Sequence, residues 1–171
     1  LIILDVSNNT ALTFLNCGSN QLTSLNVSQN TALTKLNCGG NYFTTLDVSN
    51  NTALDTLYCW GNQLTILDVT NNTALTYLHC WGNLLTSLDV SQNTALIYFS
   101  CSVNSITSLD VSQNTALHHL FCYDNQLIAL DARTGSSIWT FKVYNNPTLS
   151  CINVDDVVWS TANWTVANQN I

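Results

Sequence analysis

The cysteines are the residues whose spacing first suggests chemistry. Six of the seven recur at intervals of 21 residues: Cys17, Cys38, Cys59, Cys80, Cys101 and Cys122. Stacked at strand spacing, neighbouring Cβ atoms would lie about 4.8 Å apart, whereas a disulfide needs about 3.8 Å. No Cys-x-x-Cys pair and no histidine at ligand spacing accompanies them, so the sequence predicts buried free thiols and neither bridges nor a metal cluster. Cys151 lies outside this column and is also predicted to be an unpaired core residue.

The three histidines are the other candidates for catalysis. His79, His118 and His119 have no Ser, Cys or carboxylate at a spacing typical of a catalytic triad or an acid–base pair. We therefore predict no catalytic residue, no cofactor and no enzymatic activity, and we assign the histidines to the surface.

An aspartate column is the remaining group with possible chemistry. It consists of Asp5, Asp47, Asp68, Asp89, Asp110 and Asp131, with Asn26 in the matching place. Carboxylates stacked at strand spacing repel one another unless hydrogen bonds or cations compensate them. The Ser or Thr and Asn that follow each aspartate favour local hydrogen bonds, and weak calcium binding is left open as the alternative.

Composition excludes several classes of function. The chain has 171 residues, a net charge of −7, and only 8% charged residues. It therefore lacks the cationic surface that nucleic acids and anionic membranes require, and no apolar run reaches the length of a membrane span. The opening Leu1-Ile2-Ile3-Leu4 is too short for a signal peptide and fits the repeat, so we interpret it as a coil cut from a longer chain.

Residues 1–137 are organised by one repeat, L-x-x-L-x-C-x-x-N-x-L-T-x-L-D-V-S-x-N-T-A. Full copies begin at Leu12, Leu33, Leu54, Leu75, Leu96 and Leu117, after a half copy at 1–11. A fixed period of this length is typical of stacked coils. We therefore predict a repeat array over 1–137, with six full repeats over 12–137, and a C-terminal capping coil and tail over 138–171. Within the tail, Trp159 and Trp164 are predicted to cover the last coil.

Each unit contains two similar halves, because L-x-x-L-x-C-x-x-N is followed by L-T-x-L-D-V-S-x-N. The alternation at L-x-C and L-x-V has the period of a strand, and the Thr, Asn, Val and Asp content disfavours helix. We predict a mainly β solenoid with a parallel sheet on the first side and little or no helix. The second side is predicted to be extended or a second ladder, and the sequence does not decide between them. An asparagine ladder is expected to satisfy the backbone of the turns: Asn20, Asn41, Asn62, Asn83, Asn104, Asn125 and Asn146.

This pattern resembles the bacterial leucine-rich repeats of the short, nested 21-residue type. The resemblance covers essentially residues 1–150, and the tail from Asn145 to Trp164 resembles the end of such arrays in secreted Bacteroidetes proteins. It implies a leucine-rich-repeat solenoid from a bacterial protein that is exported or held at the outer cell surface.

The copies differ from one another mainly at the outward positions of the first half. Nine of the chain's sixteen aromatic residues fall there, and exposed aromatic strips of this extent usually mark an interaction site. Register places Trp60 beside Trp81 and Tyr58 beside His79. The predicted ligand-binding residues are Phe14, Lys35, Tyr58, Trp60, Tyr77, His79, Trp81, Tyr98, His119, Phe121, Tyr123 and Tyr144.

The function predicted from these features is non-enzymatic binding of a protein or glycan at the cell surface. Two alternatives stay open. One is a structural or adhesive spacer within a larger surface protein. The other is binding to ice or a crystalline surface through the regular threonines Thr23, Thr44, Thr65, Thr86 and Thr107, although the adjacent aspartates argue against ice.

Overall fold

The protein is a short solenoid in which every 21 residues complete one coil. The computed structural model describes residues 1–135 and 138–163. The first side of each coil contributes one three-residue strand: β1 (Phe14–Asn16), β2 (Lys35–Asn37), β3 (Thr56–Tyr58), β4 (Tyr77–His79), β5 (Tyr98–Ser100), β7 (His119–Phe121) and β9 (Thr140–Lys142). The second side contributes β6 (Ser108–Asp110), β8 (Ala129–Asp131) and β10 (Cys151–Asn153).

The first side forms a seven-stranded parallel sheet in the order β1-β2-β3-β4-β5-β7-β9. Each pairing is offset by one repeat, as in Tyr77 opposite Tyr98 and Leu78 opposite Phe99. Equivalent residues of successive coils therefore lie side by side and form columns. The predicted fold class, a mainly β leucine-rich-repeat solenoid, is confirmed.

The second side is regular only near the C-terminal end. There β10, β8 and β6 form a three-stranded parallel sheet. In the earlier described coils the same segment is extended without strand pairing. Both structures that the sequence left open for this side are therefore present, each in a different part of the array.

The core consists of the inward columns predicted from the repeat. Leucines of both half-repeats, the column cysteines and the valines pack into one continuous apolar cluster. Cys38, Cys59 and Cys80 have no exposed surface, and burial raises the pKa of each thiol well above its ordinary value. The prediction that the column cysteines are core residues is confirmed.

Cys151 is a correction to the sequence-based expectation. The sequence predicted a core residue, but this cysteine is exposed at the start of β10. The difference arises because Cys151 belongs to the second half-repeat and not to the cysteine column of the first. Cys151 pairs with Ala129 and so occupies an outward position of the second side, and Ile152 points into the core beside Leu130.

Thiol reactivity should report this difference directly. All seven cysteines are free, and only a thiolate reacts quickly with a disulfide reagent. We expect an aromatic disulfide reagent to titrate one thiol per native chain, and seven in denaturant. The Cys151→Ser variant should show none in the native state; rapid reaction of two or more native thiols would contradict the buried column.

The predicted asparagine ladder is confirmed. The Nδ2 of Asn62 donates to the carbonyl oxygens of Cys38 (3.2 Å) and Cys59 (3.1 Å). Its Oδ1 accepts a hydrogen bond from the backbone N–H of Phe43 at 3.1 Å. Each amide thus joins two coils and satisfies backbone groups at a buried turn, as a closed core requires.

A second asparagine ladder, which the sequence analysis missed, lies at the turn of the other half-repeat. The Nδ2 of Asn72 donates to the carbonyl oxygens of Val48 (3.0 Å) and Asn51 (2.9 Å). Its Oδ1 is buried with no partner in the structure. The same holds for Asn30, Asn51, Asn93 and Asn114. The signal was present, because asparagine recurs at this position in every repeat before the last, which has Gly135.

The aspartate column forms the local hydrogen bonds that the sequence favoured. The Oδ1 of Asp47 accepts from the backbone N–H of Ser49 at 2.9 Å, and that of Asp68 accepts from Thr70 at 2.9 Å. Asn26 forms the same turn with Ser28. These bonds lower the pKa of the carboxyl groups of Asp47 and Asp68. Within residues 1–135 and 138–163, no three His, Cys, Asp or Glu side chains are grouped so as to hold a metal ion.

Acid should therefore weaken the fold. A carboxyl whose folded-state pKa lies below its unfolded value stabilises the fold above about pH 4, and this contribution is lost as pH falls through the folded value. The pKa of Asp131, beside Arg133, lies lowest, at about 2. We expect the urea midpoint to fall between pH 4 and pH 2. The double variant Asp68→Asn/Asp89→Asn keeps the turn hydrogen bonds, as Asn26 does, but has two fewer carboxylates, so its urea midpoint should fall less. An equal fall in both proteins would contradict the stabilising role assigned to these carboxylates.

The last described element is the helix α1 (Val157–Asn163). In the ranges 1–135 and 138–163, no helix has the length and apolar character needed to cross a bilayer. The predicted covering role of Trp159 and Trp164 lies outside the described residues, since neither tryptophan side chain is among them.

Candidate ligand-binding face

The predicted binding residues all lie along the outward face of the seven-stranded sheet or in the turn that follows each strand. We call this surface the sheet face; it is formed by the first and third residues of β1, β2, β3, β4, β5, β7 and β9 and by the second and third residues after each strand. On the strands lie Phe14, Lys35, Tyr58, Tyr77, His79, Tyr98, His119 and Phe121, and after them Trp60, Trp81, Tyr123 and Tyr144. Parallel register, with one repeat per strand, places them on one surface.

A continuous chain of ring contacts crosses the middle of the sheet face. The ring centroid of Tyr77 lies 5.0 Å from that of Tyr58 and 4.1 Å from that of Tyr98. Tyr98 also contacts Phe121 at 5.2 Å and His119 at 6.1 Å. Tyr98 is thus the ring on which the contacts converge.

The rings stand upright on the sheet. Tyr77 and Tyr98 are parallel within 3° and their centroids are displaced from one strand to the next, so the ring faces cover each other and the edges point outward. Tyr123 and Tyr144 repeat this arrangement, with centroids 4.7 Å apart and an angle of 10°. A ligand on this part of the surface meets ring edges and phenol hydroxyls more than ring faces.

His79 lies between two tyrosines, with centroids 6.2 Å from Tyr58 and 6.2 Å from Tyr98. The predicted neighbour pair Tyr58 and His79 is therefore confirmed. Burial lowers the pKa of His79 below its ordinary value, which makes it neutral at pH 7. Burial, and then hydrogen bonding with Tyr98, raise the pKa of Tyr77, so its hydroxyl stays protonated and able to donate.

Trp60 and Trp81 occupy adjacent places in one column, but among the described residues their rings make no ring-to-ring contact. The indole of Trp60 instead lies over the preceding coil: a Cβ built on Gly39 would be 2.5 Å from Nε1 of Trp60, and one on Gly40 would be 3.3 Å from its six-membered ring. Gly39 has no side chain and leaves the space that the indole fills. Trp60 is therefore half-buried and packs within the chain as well as facing outward.

Gly39→Ala should displace this indole. The new methyl group would overlap the ring, so the ring must rotate away from Gly39 and into solvent. We expect a red shift of the tryptophan emission maximum with little change in β-sheet circular dichroism. The shift should disappear when Gly39→Ala is combined with Trp60→Phe. An unchanged spectrum for Gly39→Ala alone would contradict this placement of the indole.

Two residues that the sequence analysis did not select extend the aromatic surface at its C-terminal end. His118 and Trp139 stack with centroids 4.1 Å apart, and Trp139 is 68% exposed. Trp139 also contacts His119 edge-on at 6.0 Å. They occupy the column before each strand, which reads Thr13, Thr34, Asp55, Thr76, Ile97, His118 and Trp139. The change from small polar residues to larger side chains was the available signal.

The centre of the sheet face holds two small residues, Ser100 and Ser102, at positions flanked by aromatic rings in the two neighbouring coils. Both are buried, because they lie in the columns between larger side chains of the flanking coils. The Oγ of Ser102 has no hydrogen-bond partner in the structure. The repeat pattern predicted an exposed residue at this position, whereas Ser102 is buried.

The solenoid is similar to solved structures of bacterial leucine-rich-repeat proteins. One is the functional domain of InlJ from Listeria monocytogenes, which includes a cysteine ladder; it is 41% identical, with 88% of this chain and 31% of that chain covered and a TM-score of 0.75. Another is a leucine-rich-repeat protein of Leptospira interrogans, 28% identical over 87% of this chain and 38% of that one, with a TM-score of 0.70.

A third similar structure is an internalin from Listeria monocytogenes, 23% identical, with a TM-score of 0.68 and coverage of 89% of this chain and 45% of that chain; at this identity it supports the fold alone. The chain thus spans between about a third and a half of the length of these three solved chains. A family model described as the LVIVD repeat matches residues 1–17 and 59–79. No curated protein matches the sequence. The chain has the leucine-rich-repeat solenoid fold.

Proposed function

We propose that this chain is a non-catalytic binding module whose partner docks on the sheet face. The observation that carries the proposal is the ring chain from Tyr58 through Tyr77 and Tyr98 to Phe121. Half-exposed tyrosines that fix one another contribute contact area at a low entropic cost, because few side-chain torsions have to be ordered on binding.

The geometry supports a protein partner over a glycan. Sugars stack on open ring faces, whereas the central tyrosines turn their faces toward one another. Upright edges and hydroxyls suit the side chains and backbone of a polypeptide, which can enter between them. Sequence variation among the repeats also favours the sheet face as the docking surface. The second half-repeat keeps Ser, Thr and Asp from copy to copy, while the outward positions of the first half-repeat vary.

A location at the outside of a bacterial cell is part of this proposal. It rests on the resemblance of the repeat to exported bacterial arrays, including those of the Bacteroidetes, and on the similarity to the InlJ domain of a bacterium. The spacer alternative receives no comparable support, because a spacer does not need coil-to-coil variation confined to one face.

The test is a selection followed by mapping. Small folded domains would be selected from a display library for binding to the chain, and a printed glycan array would be probed in parallel. We expect selected domains to lose binding to Tyr58→Ala/Tyr77→Ala and to keep binding to Thr65→Ala/Thr86→Ala, a matched change at exposed positions of the second side. Binders that ignore the tyrosines, or array binding that depends on the threonines, would contradict the proposal.

A further inference from the structure

The charges of this chain are divided unevenly between its sides. The sheet face and the turns beside it carry Lys35 and Lys142, balanced by Asp55 and Asp124, together with all three histidines. The second side and the C-terminal end carry the other eight aspartates and Arg133. The net charge of −7 therefore lies entirely outside the sheet face and the turns beside it, which together are neutral.

The strands of the sheet face carry no carboxylate at any of their outward positions. The ionisable groups at these positions are Lys35, Tyr58, Tyr77, His79, Tyr98, His119 and Lys142. At the equivalent position of the second half-repeat the chain has Asp in nearly every coil, for example Asp47 and Asp68. The outward strand positions of the first half-repeat thus carry lysine or uncharged residues, whereas the equivalent position of the second half-repeat carries aspartate.

The fold does not impose this difference. The Oδ1 of Asn16 accepts a hydrogen bond from the N–H of Gly18 at 3.2 Å, and Asn37 forms the same turn with Gly39 at 3.2 Å. This is the turn that Asp47 forms with Ser49 on the second side. An aspartate at position 16 or 37 would therefore satisfy the backbone equally well, so the turn itself does not exclude carboxylates from these positions.

The two lysines lie near the two ends of the sheet face. Lys35 is on β2 and Lys142 on β9, five strand spacings apart, which is about 24 Å. Among the described residues, Arg133 pairs with Asp131, and neither lysine forms an ion pair. An extended polypeptide covers about 24 Å with seven residue spacings. The upright rings between the lysines would contact the middle of such a segment.

We propose that the partner segment on the sheet face is an acidic, extended polypeptide of about eight residues, with carboxylates near both ends that pair with Lys35 and Lys142. The inference rests on the proposed function and specifies the chemistry of its partner. The aspartates of the second side do not oppose it at physiological salt, because charges beyond about 8 Å are largely screened.

Three displayed octapeptide libraries would test this proposal. They share six random central positions and differ in both end residues, which are Asp, Ser or Lys. We expect selection on the native chain to enrich the Asp-ended library at least about tenfold over the Lys-ended one. Binders from it should lose about fivefold in affinity on Lys142→Gln, as for an interfacial ion pair worth about 1 kcal/mol. They should be unaffected by Arg133→Gln, which removes the same charge on the second side.

The outcomes separate this inference from the proposed function. If Ser-ended or Lys-ended peptides are enriched equally and still depend on Tyr98, the sheet face binds peptides and the acidic partner is wrong. If no enriched peptide depends on Tyr98, both proposals fail. Lysine-dependent binding of soluble polygalacturonate, with no enriched peptide, would overturn the inference in favour of an acidic glycan.

Discussion

Asn62→Leu should lower the free energy of unfolding by about 2–4 kcal/mol, which is a large share of the stability of a domain this size. The substitution removes one of two donors to each of the carbonyl oxygens of Cys38 and Cys59, which keep Asn41 and Asn83, and the acceptor for the N–H of Phe43. The N–H of Phe43 is thereby buried without a partner, which costs about 1–3 kcal/mol, and each lost donor adds a smaller amount. Urea unfolding followed by circular dichroism measures the change.

The second asparagine ladder provides a graded comparison for this prediction. Asn72→Leu also removes donors to two carbonyl oxygens, but the Oδ1 of Asn72 has no partner to lose. Its cost should therefore be smaller than that of Asn62→Leu. Asn71→Ala, at the neighbouring exposed residue, should change stability by less than about 0.5 kcal/mol. Equal costs at positions 62 and 72 would contradict the different roles assigned to the two ladders.

The damage from Asn62→Leu should also be local. In a solenoid each coil contacts its neighbours, so a lost ladder residue weakens the interface between the two coils that it joins. Hydrogen exchange should accelerate first in β2 and β3 and less in β9. Uniform acceleration along the array would indicate that the coils unfold as one unit.

Tyr98→Ala should weaken binding of a selected partner domain by about 30- to 1000-fold, the effect of losing an interface hot spot of about 2–4 kcal/mol. Tyr98 contacts Tyr77, His79, His119 and Phe121. Its removal therefore takes away its own contacts with the partner and also frees the rings on both sides. The latter reintroduces conformational entropy that the partner must then remove.

Tyr42→Ala is the matched control for this prediction. Tyr42 is 51% exposed but lies in the turn after Asn41, off the sheet face. We expect its affinity to stay within about twofold of the unchanged chain, measured at a temperature where both variants are fully folded. A comparable loss in Tyr42→Ala would mean that tyrosines anywhere on the surface contribute, and that the sheet face has no special role.

Much of the fold could be predicted from the repeat period alone. A spacing of 21 residues with period-two alternation dictates stacked coils and columns, and therefore the sheet, the apolar core and the ladder that includes Asn62. The position of Cys151 was predicted wrongly because cysteine was taken as a marker of the core column. Its place in the second half-repeat, opposite Ala129, decides its exposure.

Less of the candidate site could be predicted, because ring orientation depends on local space. Register placed Trp60 beside Trp81, but the missing side chain at Gly39 decides where the indole packs. Similarly, Tyr77 and Tyr98 were expected on the face, but the sequence does not show that their rings are parallel and that the ring edges point outward. A column analysis that included the residue before each strand would have found His118 and Trp139.

The central claim is that a partner covers the sheet face, and thiol accessibility tests it most directly. In a Cys151→Ser background, Thr56→Cys places one reactive thiol on β3 and Thr65→Cys places one on the second side, while the column cysteines stay buried. A saturating selected domain should slow modification at position 56 at least about tenfold and leave position 65 unchanged. Protection at position 65 with free reaction at position 56 would contradict the account.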